Sequence, residues 1–388
     1  MSTRAWAEVD LGAVAANVGE LRRVVGGAEV WAVVKADGYG HGAGPVAGAA
    51  LDAGAAGLAV AIVAEGVELR EFGIDAPVLV LSEPHPDELG QCVAWQLQPT
   101  CYTTAGIAAA ADAVARLGVG TVLPVHLKLD TGMHRVGADP GDAEALARSV
   151  ARADGLTLAS VWTHCAVADD PDNPFTATQL TRFGDACDAL AAANLTPPRR
   201  HAANSAGALC HPAARLDLVR AGIAVYGIAP APGITGAASL RPALSLRAAL
   251  SLVKVVPDGE RLSYGLRHRV DGDRVIATVP VGYADGIPRR SAAVGSEVLI
   301  GGRRRPIVGA VTMDQLLVDC GPAAGRGDAD GPAPGRGDEV VLIGDQGGGR
   351  ITAEDWAAWL GTIAYEVVCG IGPRITRHYV ASSPGGSA

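Results

Sequence analysis

The stretch AVVKADGYGHG, residues 32–42, places a lysine at the end of an apolar run and follows it with glycines, a tyrosine and a histidine. The chain has only three lysines, Lys35, Lys128 and Lys254, and arginine supplies the rest of its basic residues. A guanidinium stays protonated, whereas a lysine amine can become neutral and attack a carbonyl. A lysine retained in so arginine-rich a chain therefore indicates a position that requires an amine.

Other candidate residues lie at the ends of predicted strands or just after them. These are Arg135 in DTGMHRVG, His164 in WTHC, Ser205 in AANSAGAL, and Arg220, Gly222 and Ile223 in LVRAGI. Ser205 opens a predicted helix, where its hydroxyl and the free backbone amides could hold a phosphate, and two more amides follow Arg220. Taken singly, each has an ordinary explanation, such as a satisfied histidine at a strand end or a common helix N-cap. Together they predict one pocket with an amine, cations and a phosphate cradle.

An amine beside a phosphate cradle is what pyridoxal 5′-phosphate (PLP) requires. The lysine forms a Schiff base with the cofactor's aldehyde, while other groups anchor its phosphate and contact its pyridine nitrogen. The alternative for Lys35 is a lysine whose stem lies on apolar surface and whose amine reaches water. The residues at the other strand ends favour the cofactor site.

The elements that must position these residues form a repeating pattern. After an amphipathic helix predicted over 11–25, apolar runs alternate with Ala-rich helical segments. Eight strands are predicted, at 30–35, 57–61, 77–81, 97–102, 122–130, 156–164, 199–203 and 216–222. This pattern favours a (β/α)8 TIM-like barrel, whose carboxyl-terminal mouth would gather the strand-end residues, although a doubly wound sheet shows the same alternation.

The residue pattern of the sequence changes near Pro242. β-Branched runs separated by turn signals follow, with little helical periodicity until ITAEDWAAWLG. We predict a PLP-binding barrel at 11–240 and a β-strand-rich domain formed by 1–10 and 241–388, in which RAWAEVD pairs as an early strand. Residues 321–338 are too rich in Gly, Pro and Asp to pack and are predicted to form a surface loop.

Composition narrows the functional class. With 388 residues, 49% hydrophobic and 19% charged, the chain can bury a large core. The net charge of −9 is spread along the chain, which argues against nucleic-acid or anionic-membrane partners. No signal-peptide core or membrane-span window is evident, so we expect a cytoplasmic protein acting on a small molecule. Seven scattered cysteines without a CxxC pair predict reduced, mostly buried thiols and no metal site.

The sequence resembles the alanine racemase family of fold-type III PLP enzymes over essentially its whole length. The motifs that carry the resemblance occur in the family's order. They are VVKADGYGHG, HLKLDTGMHR, NSAG, RAGIAVYG, LSYG, VGYADG, MDQ and YEVVCGIGPRITRHY. The resemblance implies interconversion of L- and D-alanine, which supplies D-alanine for peptidoglycan, by a homodimer with shared active sites.

The resemblance also implies two catalytic bases. Lys35 would be the Schiff-base lysine and one base, and Tyr264 of LSYG would be the other, acting in the partner's active site. Inverting a carbon requires a proton to leave one face and another to arrive at the opposite face. A tyrosine of ordinary pKa, about 10, needs cations to act as a base at neutral pH. The family's chain from arginine through histidine to tyrosine maps onto Arg220 and His164, with Arg220 also facing the pyridine nitrogen.

The remaining family roles fall on ten residues. Tyr39, Ser205, Gly222, Ile223 and Tyr365 match phosphate ligands, Arg135 and Met313 match substrate-binding residues, Lys128 matches a lysine that can be carbamylated, and Tyr283 and Asp314 match residues near the substrate entrance. Without the resemblance, Tyr365 would be interpreted as a buried aromatic residue and Lys128 as a salt-bridged barrel lysine. The sequence departs from the family at Thr312, where a cysteine usually precedes Met-Asp-Gln.

Other functions remain open from the sequence. One is a related barrel PLP enzyme, either a racemase of another small amino acid or an amino-acid decarboxylase. Another is a non-catalytic PLP-binding protein. The second base in LSYG and an arginine, Arg220, at the ring nitrogen favour racemisation, and the complete β-rich domain counts against a simple carrier.

Overall fold

The structure is a computed structural model that describes residues 4–118, 120–234, 238–323 and 334–381. The chain folds into two compact units. Gly12–Arg241 forms one, and the chain up to Leu11 together with the chain from Pro242 onward forms the other. The loop predicted over 321–338 lies largely outside the described residues, although Gly321 and Pro322 belong to a strand.

The first unit contains eight parallel strands and nine helices within its described residues. Strand β1 (Ala5–Asp10) belongs to the other unit, and the barrel strands are β2 (Glu29–Val33), β3 (Gly57–Val60), β4 (Val78–Val80), β5 (Gln98–Cys101), β6 (Leu123–Lys128), β7 (Leu156–Trp162), β8 (Arg200–His201) and β9 (Leu218–Ala221). The helices are α1 (Leu11–Val25), α2 (Lys35–Tyr39), α3 (Ala43–Asp52), α4 (Val63–Glu71), α5 (Leu89–Ala94), α6 (Thr104–Leu117), α7 (Ala143–Arg152), α8 (Phe175–Ala192) and α9 (Ser205–Cys210).

The parallel sheet closes into a barrel. Its order is β8-β7-β6-β5-β4-β3-β2-β9. The two end strands are joined because Asp217 N donates to Arg200 O at 3.1 Å and Arg220 N donates to Ala203 O at 3.0 Å. The barrel prediction is confirmed, and the doubly wound alternative is wrong. Strands β3, β4 and β9 are buried at every position, as expected where helices cover a parallel sheet.

Each of the eight predicted strands ends one or two residues earlier than the sequence suggested, and two of these differences concern site residues. β2 ends at Val33, so the prediction that Lys35 closes the strand is wrong. β7 ends at Trp162, so His164 lies in the following loop rather than in the strand. Val34 is buried beyond the end of β2 and Thr163 is buried beyond the end of β7, so burial does not stop where each strand stops. Alternation alone therefore cannot locate the ends.

The second unit is built on an antiparallel sheet that β1 joins. Its other strands are β10 (Leu244–Ala249), β11 (Leu252–Val256), β12 (Arg261–Leu262), β13 (His268–Arg269), β14 (Arg274–Val279), β15 (Glu297–Ile300), β16 (Arg303–Val308), β17 (Leu316–Pro322), β18 (Glu339–Gln346), β19 (Gly349–Ile351) and β20 (Thr376–Val380), with helices α10 (Ala353–Leu360) and α11 (Ala364–Cys369). β1 lies between β10, which is antiparallel to it, and β20, which is parallel. Alternating burial along β1 and β10 shows one face of each strand packed in the core.

Two further properties bear on function. Among the described residues, no helix is both long enough and apolar enough to cross a lipid bilayer. The seven cysteines, all of them within the described residues, form no disulfide with one another, and five of them are buried.

Candidate active site

Lys35 begins a left-handed turn. After β2 the backbone reverses its twist, with φ of 52° at Ala36, 50° at Asp37, 61° at Gly38 and 52° at Tyr39. A residue with a side chain costs on the order of 1–3 kcal/mol in a sparsely populated region of this kind. Such a turn persists only where surrounding contacts hold it. It brings Lys35 and the Tyr39 side chain to the same end of the barrel.

Two carboxylates hold this turn. Glu65 of α4 accepts from Ala36 N at 2.6 Å and, through its other oxygen, from Ala61 N at 2.8 Å. Asp37 accepts from Ala43 N at 2.8 Å. The backbone next to the lysine is therefore tied to the strand-end loop of β3 and to the start of α3, which limits movement of the amine.

Lys128 ends β6 and is 5% exposed. Its ammonium lies 4.2 Å from the centroid of the Trp162 ring. Burial, with the charges of Arg220, Arg135 and Lys35 nearby, lowers the pKa of Lys128 to about 7. A large fraction of this amine is therefore neutral between pH 7 and 8, which makes it nucleophilic.

Arg220 is the buried centre of the site, at 2% exposure. Its Nη1 donates to His201 Nδ1 at 2.7 Å, and its Nη2 donates to His164 Nδ1 at 3.0 Å and to Thr163 O at 2.9 Å. Its Cζ lies 4.4 Å from the Trp162 ring centroid. Burial lowers the pKa of Arg220 to about 9, which leaves it protonated at neutral pH.

The Arg220 contacts define the protonation of His164. A guanidinium has donors only, so the Nδ1 atom of His164 must accept and the ring proton must lie on Nε2. Burial, together with Arg220, Lys128, Arg135 and Lys35, holds the pKa of His164 well below its ordinary value. His164 is therefore a neutral imidazole with an N–H left to donate.

Two hydroxyls converge on Gly222 after β9. Ser205 Oγ accepts from Gly222 N at 2.9 Å and from Ala224 N at 3.3 Å. A Cβ at Gly222 would stand 2.5 Å from the Tyr39 hydroxyl oxygen, so the tyrosine occupies the space that a side chain would take. This cluster of hydroxyl and amide groups suits a phosphate. A direct bond from Gly222 N to phosphate would replace its present bond to Ser205.

We expect Gly222→Ala to weaken cofactor binding by tenfold or more, since its methyl group would displace the Tyr39 hydroxyl and narrow the cradle. The dissociation constant for PLP, measured by absorbance titration of the stripped protein, checks this. Gly184→Ala is the matched control because a Cβ at Gly184, in α8, would meet nothing within 4 Å. Equal affinities for both variants and the unchanged protein would contradict the cradle assignment.

The loop that carries Arg135 is closed by Asp130. One Asp130 oxygen accepts from Gly132 N and Met133 N, each at 2.9 Å, and from His134 N at 3.1 Å. Burial opposes ionisation of Asp130, but these three bonds outweigh it and hold the pKa below its ordinary value. Arg135 follows directly and is exposed at the mouth.

Tyr264 and Met313 are exposed side chains of the second unit. Tyr264 is 74% exposed and Met313 is 52% exposed. Tyr264 begins a turn after Ser263, whose φ is 58° and whose hydroxyl donates to Ala310 O at 2.6 Å. Side chains this exposed are accessible to another molecule. Tyr283, 44% exposed, belongs to the same unit.

Thr312 has a definite structural place in the MDQ turn. Its hydroxyl donates to Gln315 O at 2.9 Å and also accepts from Gln315 N at 3.2 Å. Asp314 pairs with Arg374 at 2.7 Å, and Arg374 also pairs with Asp285 at 3.0 Å. These contacts explain Thr312 and Asp314 without a role in chemistry.

The predicted site residues divide between the two units. The carboxyl-terminal end of the barrel holds Lys35, Tyr39, Lys128, Arg135, His164, Ser205, Arg220, Gly222 and Ile223, whereas the second unit holds Tyr264, Tyr283, Met313, Asp314 and the half-buried Tyr365. Within the described residues, no three His, Cys, Asp or Glu side chains are grouped to hold a metal ion.

Sequence reasoning missed the polar residues beneath the mouth. His201, Trp162, Ser160 and His126 are all buried in the barrel unit. One signal was available, because His126 is two residues before Lys128 and therefore faces the same side of β6. The same spacing relates Ser160 to Trp162.

Similarity to known proteins places the chain in the amino-acid racemase class of isomerases. Residues 9–230 match the family model described as the alanine racemase N-terminal domain, and residues 243–379 match that of the C-terminal domain. The chain belongs to the alanine racemase family.

Individual relatives agree with this assignment. The alanine racemase of Symbiobacterium thermophilum is 48% identical over 376 residues, covering 96% of each chain. The structure of the alanine racemase from D-cycloserine producing Streptomyces lavendulae aligns with a TM-score of 0.90 at 38% identity, covering 99% of this chain and 98% of that one. A histidine racemase from Leuconostoc mesenteroides subsp. sake aligns with a TM-score of 0.86 at 29% identity, covering 98% and 99%.

Proposed function

We propose that this protein interconverts L- and D-alanine with PLP held at the carboxyl-terminal end of the barrel. The observation that carries the proposal is the environment of Arg220. Among the described residues, its hydrogen-bond acceptors are imidazole nitrogens and carbonyl oxygens. A donor-only cation at this position suits a pyridine nitrogen that remains unprotonated.

When bound, the cofactor supplies an aldehyde for the Lys35 amine and a ring that accepts electrons from the substrate carbon. An unprotonated pyridine nitrogen withdraws electron density from the substrate carbon less strongly than a protonated one. Arg220 would therefore restrict the reaction to loss and return of the α-proton, and would limit side reactions such as transamination.

The proton would move between two bases on opposite faces of the substrate. Lys35 Nζ would take or return it on one face, and Tyr264 of the partner subunit would do so on the other. The Nε2–H of His164 would donate to the Tyr264 phenolate, with Arg220 polarising the imidazole from behind. This arrangement needs a homodimer in which the exposed Tyr264 enters the neighbouring barrel.

The remaining residues would bind the cofactor and the substrate. Tyr39, Ser205, Gly222, Ile223 and Tyr365 would hold the phosphate, Arg135 and Met313 the substrate carboxylate, and Tyr283 would stand near the entrance. Asp314 would support that entrance through its pair with Arg374. The cytoplasmic location and the supply of D-alanine for peptidoglycan stay predictions.

Exchange of the α-proton with deuterated solvent tests the activity. Each enantiomer of alanine, serine and histidine is incubated with the holoenzyme, and both deuterium content and chirality are followed. Rapid exchange with inversion from both alanine enantiomers is expected. A faster reaction with another amino acid would favour a racemase of that substrate, loss of carbon dioxide would indicate a decarboxylase, and bound PLP without turnover would indicate a binding protein.

We also expect Lys128 to react with carbon dioxide, because its pKa of about 7 leaves the amine partly neutral. With ¹³C-bicarbonate at pH 8, a carbamate resonance should appear in the NMR spectrum and should fade as the pH falls through about 7, where the amine becomes protonated. Lys128→Ala should remove the resonance and lower kcat about tenfold, through looser placement of Arg135. Lys254→Ala is the control, and a resonance that survives Lys128→Ala would contradict the assignment.

A further inference from the structure

A chain of hydrogen bonds runs from Arg220 into the barrel interior. Arg220 Nη1 contacts His201 Nδ1 at 2.7 Å, and His201 Nε2 contacts Ser160 Oγ at 2.8 Å. Ser160 Oγ contacts His126 Nδ1 at 2.6 Å, and His126 Nε2 contacts Gln98 Oε1 at 2.9 Å. Four links therefore connect residues on β9, β8, β7, β6 and β5.

This series of hydrogen bonds lies inside the barrel rather than between the barrel and its helices. The His126 ring is 6.2 Å from the ring of Trp31, which is on β2, across the barrel from β6. His201 stacks on Trp162 with ring centroids 5.5 Å apart and an angle of 6° between planes. His201, Ser160 and His126 are buried. The two histidine rings are held by packing, so the hydrogen bonds have little freedom to rearrange.

The direction of every link follows from Arg220. Because the guanidinium only donates, His201 Nδ1 accepts and His201 Nε2 carries the proton. Ser160 Oγ must therefore accept the hydrogen bond from His201 Nε2–H. This leaves the Ser160 O–H to donate to His126 Nδ1. His126 then carries its proton on Nε2 and donates to the Gln98 carbonyl oxygen, so every link agrees in direction.

Both imidazoles in the chain are neutral. Burial, with Arg199 nearby, lowers the pKa of His126 to about 3. Burial, with Arg220, His126 and Arg199 nearby, holds the pKa of His201 well below its ordinary value. A neutral His201 can present a lone pair to Arg220, whereas a protonated one would repel it.

The series of hydrogen bonds ends far from the carboxyl-terminal mouth of the barrel. Gln98 is the first residue of β5, is half-buried, and lines a cavity of about 690 Å³ with Leu123 and Pro124 at the amino-terminal ends of β5 and β6. Arg220 stands near the carboxyl-terminal end of β9. The hydrogen bonds therefore connect opposite ends of the barrel.

We propose that Ser160, His126 and Gln98 are positioning residues that hold the His201 ring, whose tautomer Arg220 sets, and through it fix the orientation of Arg220. The proposal rests on the role of Arg220 in the proposed function. Without the Ser160 hydroxyl, the buried His201 Nε2–H loses its acceptor, and the ring must turn to satisfy that donor. Arg220 must then move, although no residue at the mouth has changed.

The test combines tautomer and kinetic measurements on the holoenzyme. In ¹⁵N-histidine-labelled protein, NMR should show His201 and His126 as neutral Nε2–H tautomers, assigned with single histidine variants. Ser160→Ala should shift the His201 nitrogen resonances, because the Nε2–H loses its acceptor, and lower kcat for alanine about tenfold with little change in KM. Ser160→Thr, which keeps the hydroxyl, should restore both. Ser149→Ala, which removes a hydroxyl on α7, should change neither.

A second pair of variants, at Gln98, tests the series of hydrogen bonds even if Ser160→Ala does not fold. Gln98→Leu removes the last acceptor and should shift the His126 nitrogen resonances and lower kcat severalfold, whereas Gln98→Glu keeps an acceptor and should retain activity. Unchanged histidine nitrogen resonances and unchanged kcat in Ser160→Ala or in Gln98→Leu would overturn the proposal. Expected tautomers in a protein without racemase activity would refute the proposed function instead and leave the hydrogen-bonded chain supported.

Discussion

Lys35→Ala is expected to abolish racemisation and to remove the absorbance of the lysine-bound cofactor near the visible edge. The amine serves both as the covalent attachment point and as one base, and alanine supplies neither. Loss of a positioned acid–base group alone costs about 10²–10⁴-fold in rate, so turnover should fall by at least that factor. The absorption spectrum and kcat in each direction are the measurements.

Two further variants separate the amine from its charge. Lys35→Arg keeps a cation at the same place but cannot form the covalent bond, and it should be as inactive as Lys35→Ala. Lys254→Ala removes an exposed lysine on β11 and should leave the spectrum and activity unchanged. A normal spectrum in Lys35→Ala would show that another group holds the cofactor.

Tyr264→Phe is expected to lower kcat by about 10²–10⁴-fold, because a positioned base on one face of the substrate is lost. The remaining base can still exchange the proton on its own face. Exchange without inversion should therefore persist from one enantiomer and fail from the other. Tyr379→Phe, in β20, is the control for a tyrosine hydroxyl outside the proposed site.

Mixing the two inactive variants tests whether sites are shared. If Lys35 and Tyr264 of one site come from different subunits, random exchange of Lys35→Ala and Tyr264→Phe subunits of a twofold dimer should restore about a quarter of the active sites. Mass spectrometry of the intact dimers verifies the exchange. Mixed dimers with no activity would place both bases in one chain.

Much of the fold was predictable because its signals are local. The alternation of apolar runs and Ala-rich segments predicted the barrel, and the helix over 11–25 has the bounds of α1. Strand ends were less predictable, since buried loop residues such as Val34 extend the same apolar pattern beyond Val33.

The site was predictable where a residue type was unusual for its surroundings. Lys35 was conspicuous in an arginine-rich chain, and Arg220 and Ser205 lay near the end of a strand or just after one, where a barrel brings residues to one mouth. His201 and Ser160 carried no such signal, because a buried serine and a buried histidine look like ordinary strand residues until their neighbours are known. Thr312 likewise became explicable only through its bonds to Gln315.

By itself, the amino-acid sequence indicated which segments are apolar enough to be buried, where the pattern changes from barrel-like to β-rich, and which residue types could do chemistry. These properties depend on residue types and short spacings. Tertiary structure alone decided that the sheet closes between β8 and β9, that the chain turns left-handed after Lys35, and that Arg220 leads through His201 and Ser160 to Gln98. Those features depend on contacts between distant segments, which no local pattern encodes.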